Sequence, residues 1–439
     1  MINNLLNRKM FEPDKLILII LGTLVCFSWV FKYPSRIAKY FFFFMILLYL
    51  IYSGIGGALK EVSNEYLIFY FIFTICISLG IRFGLKVVNS YSYTSWIRWD
   101  NYLDYFINYK AKNIIIIYYC IKLLGLIVPE FKLFNLISPP TPDLAAVMDV
   151  RYNAGENSSM ISTILLFMSQ LLYPFFLLAL FKYRKQTLKL SLIVLGTYYI
   201  TYCQEGYLGR GSMLEALIII IVFTYFYRPK LGKYIIISSA ILLPLLLIFL
   251  VQYSIKRIGG EVDNISAGDA IETLLSQESG YPRHFSEILK LRKHYMFNFL
   301  IWLFTMPLPG IFRGSIDVQF NAIFSELMLG LPRGTKGFYI LLPGIVGESI
   351  FIFGKYLFWI NGLIYGSMIG ISYKLLSTHK QLFGILIVVM IDCAYIANRG
   401  GLVSAVPFIF KILVYFYIIL SLLKGQYCNK LKKHSIKIG

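Results

Sequence analysis

Long apolar runs, separated by short polar segments, dominate the pattern of residues along this chain. Many of the runs are long enough to cross a hydrocarbon core of about 30 Å. Lipid offers no hydrogen-bond partners to a backbone, so each run is predicted to close its own hydrogen bonds as a helix. The pattern therefore predicts an all-α polytopic membrane protein with about 11–12 transmembrane helices. The runs are 16–31, 39–55, 66–85, 113–128, 160–181, 190–203, 213–227, 234–253, 351–373, 382–397 and 402–423.

One long interruption of this pattern lies between residues 254 and 350. Two apolar stretches within it, 297–312 and 337–351, are broken by proline and glycine. Such breaks are typical of re-entrant or interfacial helices that line a cavity, although one extra hairpin of true spans also fits. The predicted organisation is N-terminal transmembrane helices (1–253), a large extracytoplasmic loop region (254–350), and C-terminal transmembrane helices with a basic cytoplasmic tail (351–439).

Composition and charge support this class and assign a side to each loop. Hydrophobic residues make up 58% of the chain and charged residues 15%, with a net charge of +20. The basic residues cluster in short segments, such as 182–189 and 228–233, which are predicted to face the cytoplasm. This clustering argues against nucleic acid as a partner. By alternation, 204–212, the long loop region and 398–401 are predicted to face outward.

Arginines recur in the outward-facing segments, where the positive-inside rule does not favour them. In YCQEGYLGRGSMLEAL, Arg210 lies on a glycine-rich turn between Glu205 and Glu215. A guanidinium donates paired hydrogen bonds to phosphate, so these arginines predict a large anionic substrate on the outer face. Structural ion pairs, such as Arg210 with either glutamate, are the alternative. The candidate substrate-binding residues are Arg210, Arg283, Arg292, Arg313, Arg333 and Arg399.

Glu348 and His284 are the candidate catalytic bases. A carboxylate in a poorly hydrated cavity has a raised pKa, which suits it to take a proton from a sugar hydroxyl. A helix cap, or a structural partner for an arginine, is the alternative role for Glu348. The chain has no Walker A motif and only four histidines, none at metal-ligand spacing. Neither a metal nor any other cofactor is therefore expected.

Two stretches, GRGSML (209–214) and LPGIVGESIFIFGKYLFWINGLIYG (342–366), resemble the O-antigen polymerase (Wzy) family of oligosaccharide repeat-unit polymerases. The resemblance implies a GT-C-like fold and a multi-pass protein of the bacterial inner membrane, with its active site facing the periplasm. It also implies transfer of a glycan from undecaprenyl diphosphate to a sugar hydroxyl of an incoming lipid-linked repeat unit. Donor and acceptor are then both undecaprenyl diphosphate-linked oligosaccharides, used without metal or nucleotide, and a chain-length regulator is an expected partner.

Arginines in two outward loops are the functional residues that this resemblance implies, here Arg210 in the first loop and Arg283, Arg292 and Arg313 in the second. Two other functions stay open: a lipid-linked oligosaccharide flippase or transporter, and an O-antigen ligase-like transferase. Transporters often have paired half-repeats and charges near the membrane midplane. The polar features of this chain collect instead in its outward-facing segments.

Overall fold

In a computed structural model, the regular structure of the described residues is helical, and the chain divides into two units. The first unit contains Met1–Asn89, Ala240–Leu375 and Met390–Phe408, and the second contains Ser90–Ser239, Leu376–Val389 and Ile409–Gly439. The structure describes residues 11–33, 36–89, 97–128, 130–140, 160–206, 210–228, 230–235, 237–238, 279–291, 294–305, 320–333, 335, 338–377 and 381–436.

Most of the helices follow the apolar runs of the sequence, whereas α4, α9 and α11 lie outside them. In chain order they are α1 (Pro13–Cys26), α2 (Arg36–Tyr49), α3 (Glu65–Asn89), α4 (Ile97–Tyr105), α5 (Ala111–Leu124), α6 (Met160–Leu180), α7 (Thr187–Glu205), α8 (Arg210–Tyr227), α9 (Phe285–Lys290), α10 (Met296–Thr305), α11 (Phe320–Leu329), α12 (Gly344–Leu357), α13 (Trp359–Leu376), α14 (Phe383–Gly400), α15 (Leu402–Ile409) and α16 (Tyr415–Ile436). Short 3-10 helices occur at Ser28–Lys32, Leu133–Leu136, Phe181–Tyr183 and Tyr281–His284, and π-helical turns at Leu50–Ile55, Phe106–Lys110 and Phe410–Val414.

Four helical segments of the described residues are long and apolar enough to cross a membrane: Ala38–Ile55, Glu65–Val87, Ile164–Tyr183 and Leu402–Tyr427. The same residues contain no β-strand, and their one β-type pairing is an isolated bridge between Phe11 and Leu59. The prediction of an α-helical membrane protein is therefore confirmed at this level. The apolar helices α10 and α11 have ten residues each, which corresponds to about 15 Å.

The long helix α3 shows directly why the chain suits lipid. It has one apolar stripe inside the first unit and a second on its outer face. Soluble amphipathic helices carry polar residues on the outer face, so an outer face this apolar is suited to hydrocarbon. The inner stripe is Tyr66, Tyr70, Phe73, Ile77 and Ile81, and the exposed stripe is Ile68, Ile72, Ile75, Leu79 and Phe83.

Buried hydroxyl groups tie the first three helices together. The Thr23 hydroxyl is 2.8 Å from the Tyr70 hydroxyl, which links α1 to α3. The Tyr49 hydroxyl is 3.1 Å from that of Thr74, and the Tyr49 and Tyr70 rings stack at 5.2 Å. Because unsatisfied hydroxyls are costly in an apolar interior, these pairs fix the relative register of α1, α2 and α3.

Glycines bring α3 and α13 into close backbone contact within the first unit. A Cβ atom added to Gly366 would lie 2.2 Å from the carbonyl oxygen of Ile77, and one added to Gly84 would lie 2.4 Å from that of Ser367. Small residues allow close helix approach where no hydrophobic force drives association in lipid. The predicted single run 351–373 falls on α12 and α13, and the positive φ of 74° at Gly354 kinks α12 inside this run.

Aromatic and hydroxyl contacts also organise the second unit. The rings of Tyr118 on α5 and Phe176 on α6 stack at 4.5 Å. The Tyr119 hydroxyl donates a hydrogen bond of 2.6 Å to the carbonyl oxygen of Ile193 on α7. These contacts join α5, α6 and α7.

Candidate functional site

A short segment, residues 279–290, lies against the helices of the first unit and carries two of the predicted site residues. Ser279 and Pro282 are buried in this segment. A Cβ atom added to Gly56, just after the π-helical turn that follows α2, would lie 1.8 Å from the carbonyl oxygen of Ser279. Only glycine lets the two backbones approach this closely. The segment is therefore seated on the bundle at a defined position.

The same segment also packs against α12. Gly344, the first residue of α12, has a φ of +66°, and a Cβ added there would lie 3.0 Å from the Cβ of Tyr281. Further along the segment, the Ile288 side chain packs against Gly347 of α12. A Cβ atom added to Gly347 would lie 3.0 Å from the Ile288 Cδ1. The proline-glycine sequence that broke the apolar pattern at 343–344 therefore makes room for the segment that holds Arg283 and His284.

Arg399 reaches the same segment from the last turn of α14. Its Nε donates a hydrogen bond of 2.5 Å to the Tyr281 hydroxyl, although the two residues are 118 positions apart. Its Nη1 donates to the hydroxyl of Tyr395, one helical turn earlier on α14. The guanidinium carbon also lies 5.8 Å from the Tyr281 ring centroid and 4.7 Å from that of Tyr395. The two phenols are neutral acceptors, so they orient the guanidinium without cancelling its charge.

Arg283 lies two residues beyond Tyr281 and forms an ion pair with Glu61. Its Nε is 3.3 Å from the Glu61 Oε2, and the two side chains are 35% and 62% exposed. An ion pair this accessible to solvent contributes about 0–1 kcal/mol. Arg283 is therefore held weakly, and an anionic ligand can compete for it.

Glu348 is completely buried on α12, at the junction between α14 and α15. Its Oε2 accepts a hydrogen bond of 2.5 Å from the backbone N–H of Leu402, and its Oε1 accepts one of 3.2 Å from that of Val403. Gly401 has a φ of +85°, and a Cβ there would lie 2.0 Å from the Glu348 Cδ. The carboxylate thus caps the N-terminus of α15, where negative charge is favoured.

This geometry matches the cap alternative for Glu348. A cap role occupies both carboxylate oxygens, so proton transfer through Glu348 stays a prediction that the described contacts do not test.

His284 closes the 3-10 turn at Tyr281–His284, and its ring lies 6.2 Å from that of Phe324. Burial of the imidazole lowers the pKa of His284; the Glu287 carboxylate opposes this shift, and the Arg283 charge adds to it. The ring is therefore neutral at neutral pH and has a lone pair that can accept a proton. Its role as a base also stays a prediction.

The remaining predicted arginines are placed differently. Arg333 is bound by Glu326 of α11, with its Nε 2.9 Å from Oε1 and its backbone N–H 3.2 Å from the same oxygen. Arg210 is the first residue of α8, and its side chain lies outside the described part of the structure. Arg292 and Arg313 both lie outside the described residues.

The acidic residues near Arg210 have partners of their own in the second unit. Glu215 accepts a hydrogen bond from the Tyr173 hydroxyl. Glu205 ends α7, directly before Gly206, which has a left-handed φ of 66°. The proposed pairing of Arg210 with either glutamate involves a side chain outside the described residues and stays a prediction.

The structure therefore brings four predicted residues to two adjoining turns of the first unit. Arg283 and His284 are on the turn at 281–284, and Arg399 and the carboxylate of Glu348 are at the turn 398–403. Sequence reasoning missed the tyrosines of this site. The spacing of Tyr395 four residues before Arg399 was a readable signal, because such pairs share a helix face. Tyr281 gave no comparable signal.

This arrangement suits recognition of a phosphate-containing ligand, since it combines an oriented guanidinium, a second and weakly held guanidinium, and a neutral histidine. In the described residues, no group of three or more histidine, cysteine or acidic side chains is positioned to hold a metal ion. No protein-family model, no curated protein and no solved structure matches this chain. The site is therefore interpreted from its own chemistry.

Proposed function

We propose that this protein is a glycosyltransferase that polymerises lipid-linked oligosaccharide repeat units. The observation that carries the proposal is the meeting of Arg399 with the segment of Arg283, through the hydrogen bond from Arg399 to Tyr281. Both regions of the sequence were predicted to face outward, and their contact agrees with one shared site on that face. A membrane enzyme that binds a diphosphate on the outer face of its membrane needs cationic groups at such a position.

The chemistry follows from the charges. The acceptor hydroxyl oxygen attacks the anomeric carbon of the donor, the bond from that carbon to the diphosphate oxygen breaks, and the lipid diphosphate leaves. Arg283 and Arg399 stabilise the negative charge that develops on the leaving diphosphate. The neutral His284 accepts the hydroxyl proton. The glycosyl–diphosphate bond is already activated, so the reaction requires neither nucleotide nor metal.

The proposal extends to the wider setting of the protein. It includes a GT-C-like arrangement of helices in the bacterial inner membrane, with the site facing the periplasm. The undecaprenyl chains of donor and acceptor lie in the bilayer, beside apolar surfaces such as the exposed stripe of α3. A chain-length regulator would act on the growing glycan.

The test is deletion of the gene in its host, with surface glycan analysed on a silver-stained gel. We expect a single-repeat product in the deletion strain and a full ladder after complementation with the wild-type gene. Complementation with Arg399→Ala at normal membrane abundance is expected to fail, because the oriented guanidinium is lost.

Arg82→Ala is a matched control, because Arg82 also lies over an aromatic ring, that of Trp29, at 5.2 Å, but it belongs to the predicted run 66–85 and is not one of the candidate site residues. This variant should restore the ladder. Loss of even the single-repeat product in the deletion strain would contradict polymerisation and favour a ligase or a flippase. An unchanged ladder in the deletion strain would reject all three functions.

A further inference from the structure

Two tyrosines contact Arg399, and a third tyrosine from a distant part of the chain packs against both of them. Tyr52 is on the π-helical turn after α2, Tyr281 is on the segment 279–290, and Tyr395 is on α14. The Tyr52 ring centroid lies 6.4 Å from that of Tyr281 and 5.6 Å from that of Tyr395, with the latter pair edge to face. We call these three residues the tyrosine cluster.

The tyrosine cluster extends from the core of the first unit to partly exposed positions. Tyr52 is buried, whereas Tyr281, Tyr395 and Arg399 are of intermediate exposure. A purely structural aromatic cluster gains most from complete burial. Here the partly exposed side chains leave aromatic surface and part of a guanidinium accessible to a ligand.

The Arg399 guanidinium beside the tyrosine cluster is oriented before any ligand binds. Its Nε and Nη1 are fixed by the hydroxyls of Tyr281 and Tyr395, and the same two rings lie within 6 Å of its carbon atom. Orientation in advance reduces the entropy lost on binding. A planar, fixed guanidinium suits phosphate oxygens, which accept paired hydrogen bonds.

Aromatic rings beside a phosphate-binding group select a particular ligand chemistry. One face of a pyranose ring presents mainly C–H groups, which pack against the face of a tyrosine, while polar groups at the rim fix its orientation. A ligand that uses both the tyrosine rings and the Arg399 guanidinium has a sugar ring directly joined to a phosphate.

We propose that the tyrosine cluster and Arg399 form a subsite for a sugar joined to phosphate through its anomeric oxygen. The tyrosines contact the sugar, and Arg399 binds the phosphate. The assignment of this sugar to the donor that is attached to lipid diphosphate rests on the proposed function. The sugar-phosphate specificity itself can be measured without any polymerisation.

The experiment uses the full-length protein in lipid nanodiscs and saturation-transfer NMR, which detects ligand protons that touch the protein. The probes are the 1-phosphates of glucose, galactose and N-acetylglucosamine, each compared with the same sugar lacking phosphate and with inorganic phosphate as competitor. We expect at least one 1-phosphate to receive saturation on its ring protons. The phosphate-free sugar should bind on the order of tenfold more weakly.

Variants separate the two halves of the subsite. Tyr281→Ala should reduce binding on the order of tenfold, because it removes both the ring and the anchor of Arg399. Tyr281→Phe keeps the ring, so saturation of the sugar protons should persist while the preference for the 1-phosphate over the plain sugar falls. Tyr339→Ala is the matched control, since Tyr339 is a 48% exposed tyrosine of the same unit, outside the cluster.

Three results would overturn the subsite: no 1-phosphate binds; Tyr281→Ala and Tyr281→Phe both bind with wild-type affinity and selectivity; or plain sugars bind as well as their 1-phosphates. If Tyr281→Ala does not fold, the Tyr281→Phe selectivity decides. A farnesyl diphosphate-linked sugar distinguishes a lipid-linked donor, which should bind more tightly, from a free sugar phosphate, which would bind equally well and contradict the donor assignment. Sugar-phosphate binding together with an unchanged ladder in the deletion strain would reject polymerisation but not the subsite.

Discussion

Removing the Glu348 carboxylate is expected to destabilise the protein through the N-terminus of α15. Glu348→Ala leaves the backbone N–H groups of Leu402 and Val403 without their acceptor in a completely buried place. A buried donor without a partner costs about 1–3 kcal/mol, and loss of a helix cap costs about 0.5–2 kcal/mol. These effects overlap, so the total is smaller than their sum, and we expect a loss of about 1–4 kcal/mol. Glu348→Gln keeps one acceptor oxygen and should lose about half as much.

The assay is the apparent Tm of the purified protein in detergent, compared at one scan rate because unfolding of large proteins is often irreversible. Glu326→Ala is the control. Glu326 is also an acidic residue of the first unit, but its side chain is 33% exposed in its pair with Arg333, so the change should stay within about 1 kcal/mol. A wild-type Tm for Glu348→Ala, combined with loss of the glycan ladder, would refute the cap and assign Glu348 to the chemistry.

Three further predictions concern two close glycine contacts and the pKa of His284. Gly366→Leu should lower the Tm more than Gly425→Leu. Gly366 faces the backbone of α3, whereas nothing lies within 4 Å of the Cβ position of Gly425. Equal effects on the Tm would contradict the close crossing of α3 and α13. Gly56→Ala should expose the segment 279–290 to limited proteolysis, since the new Cβ would lie 1.8 Å from the Ser279 carbonyl oxygen; unchanged cleavage would contradict the seating of this segment. Burial lowers the pKa of His284, so the folded protein favours the neutral imidazole. The stability from this preference is fully present above the unfolded pKa of about 6.5, and it is lost as the pH falls through the lower pKa of the folded state. The Tm of the wild type should therefore fall more steeply below pH 6.5 than that of His284→Gln, and parallel curves would contradict this.

The helices could be predicted from the sequence because the apolar runs are long and uninterrupted. The run 160–181 and α6 (Met160–Leu180) agree almost residue for residue, and the run 66–85 lies inside α3 (Glu65–Asn89). Boundaries are less well predicted where glycine acts inside a run. The positive φ of Gly354 kinks α12 inside the predicted run 351–373, and an apolar pattern contains no record of a backbone angle.

The candidate site was predictable in its residue types but not in its pairings. Arg399 and Arg283 stood out because they belong to segments predicted to face outward, where the positive-inside rule does not favour basic residues. The partners of Arg399 and Glu348 could not be predicted, since they lie 118 and 54 positions away along the chain. A carboxylate can serve as a helix cap or as a general base, and the cap role became visible only in the contacts with Leu402 and Val403.

The central claim is that the protein itself joins lipid-linked repeat units, and it is tested most directly with purified components. The wild-type protein in nanodiscs would be mixed with a lipid diphosphate-linked repeat unit from its host, without nucleotide and with EDTA present, and the products would be separated by size. We predict a ladder of products whose steps equal one repeat unit, and its loss with Arg399→Ala but not with Arg82→Ala. A repeat unit that remains unchanged in the presence of folded protein would contradict the claim.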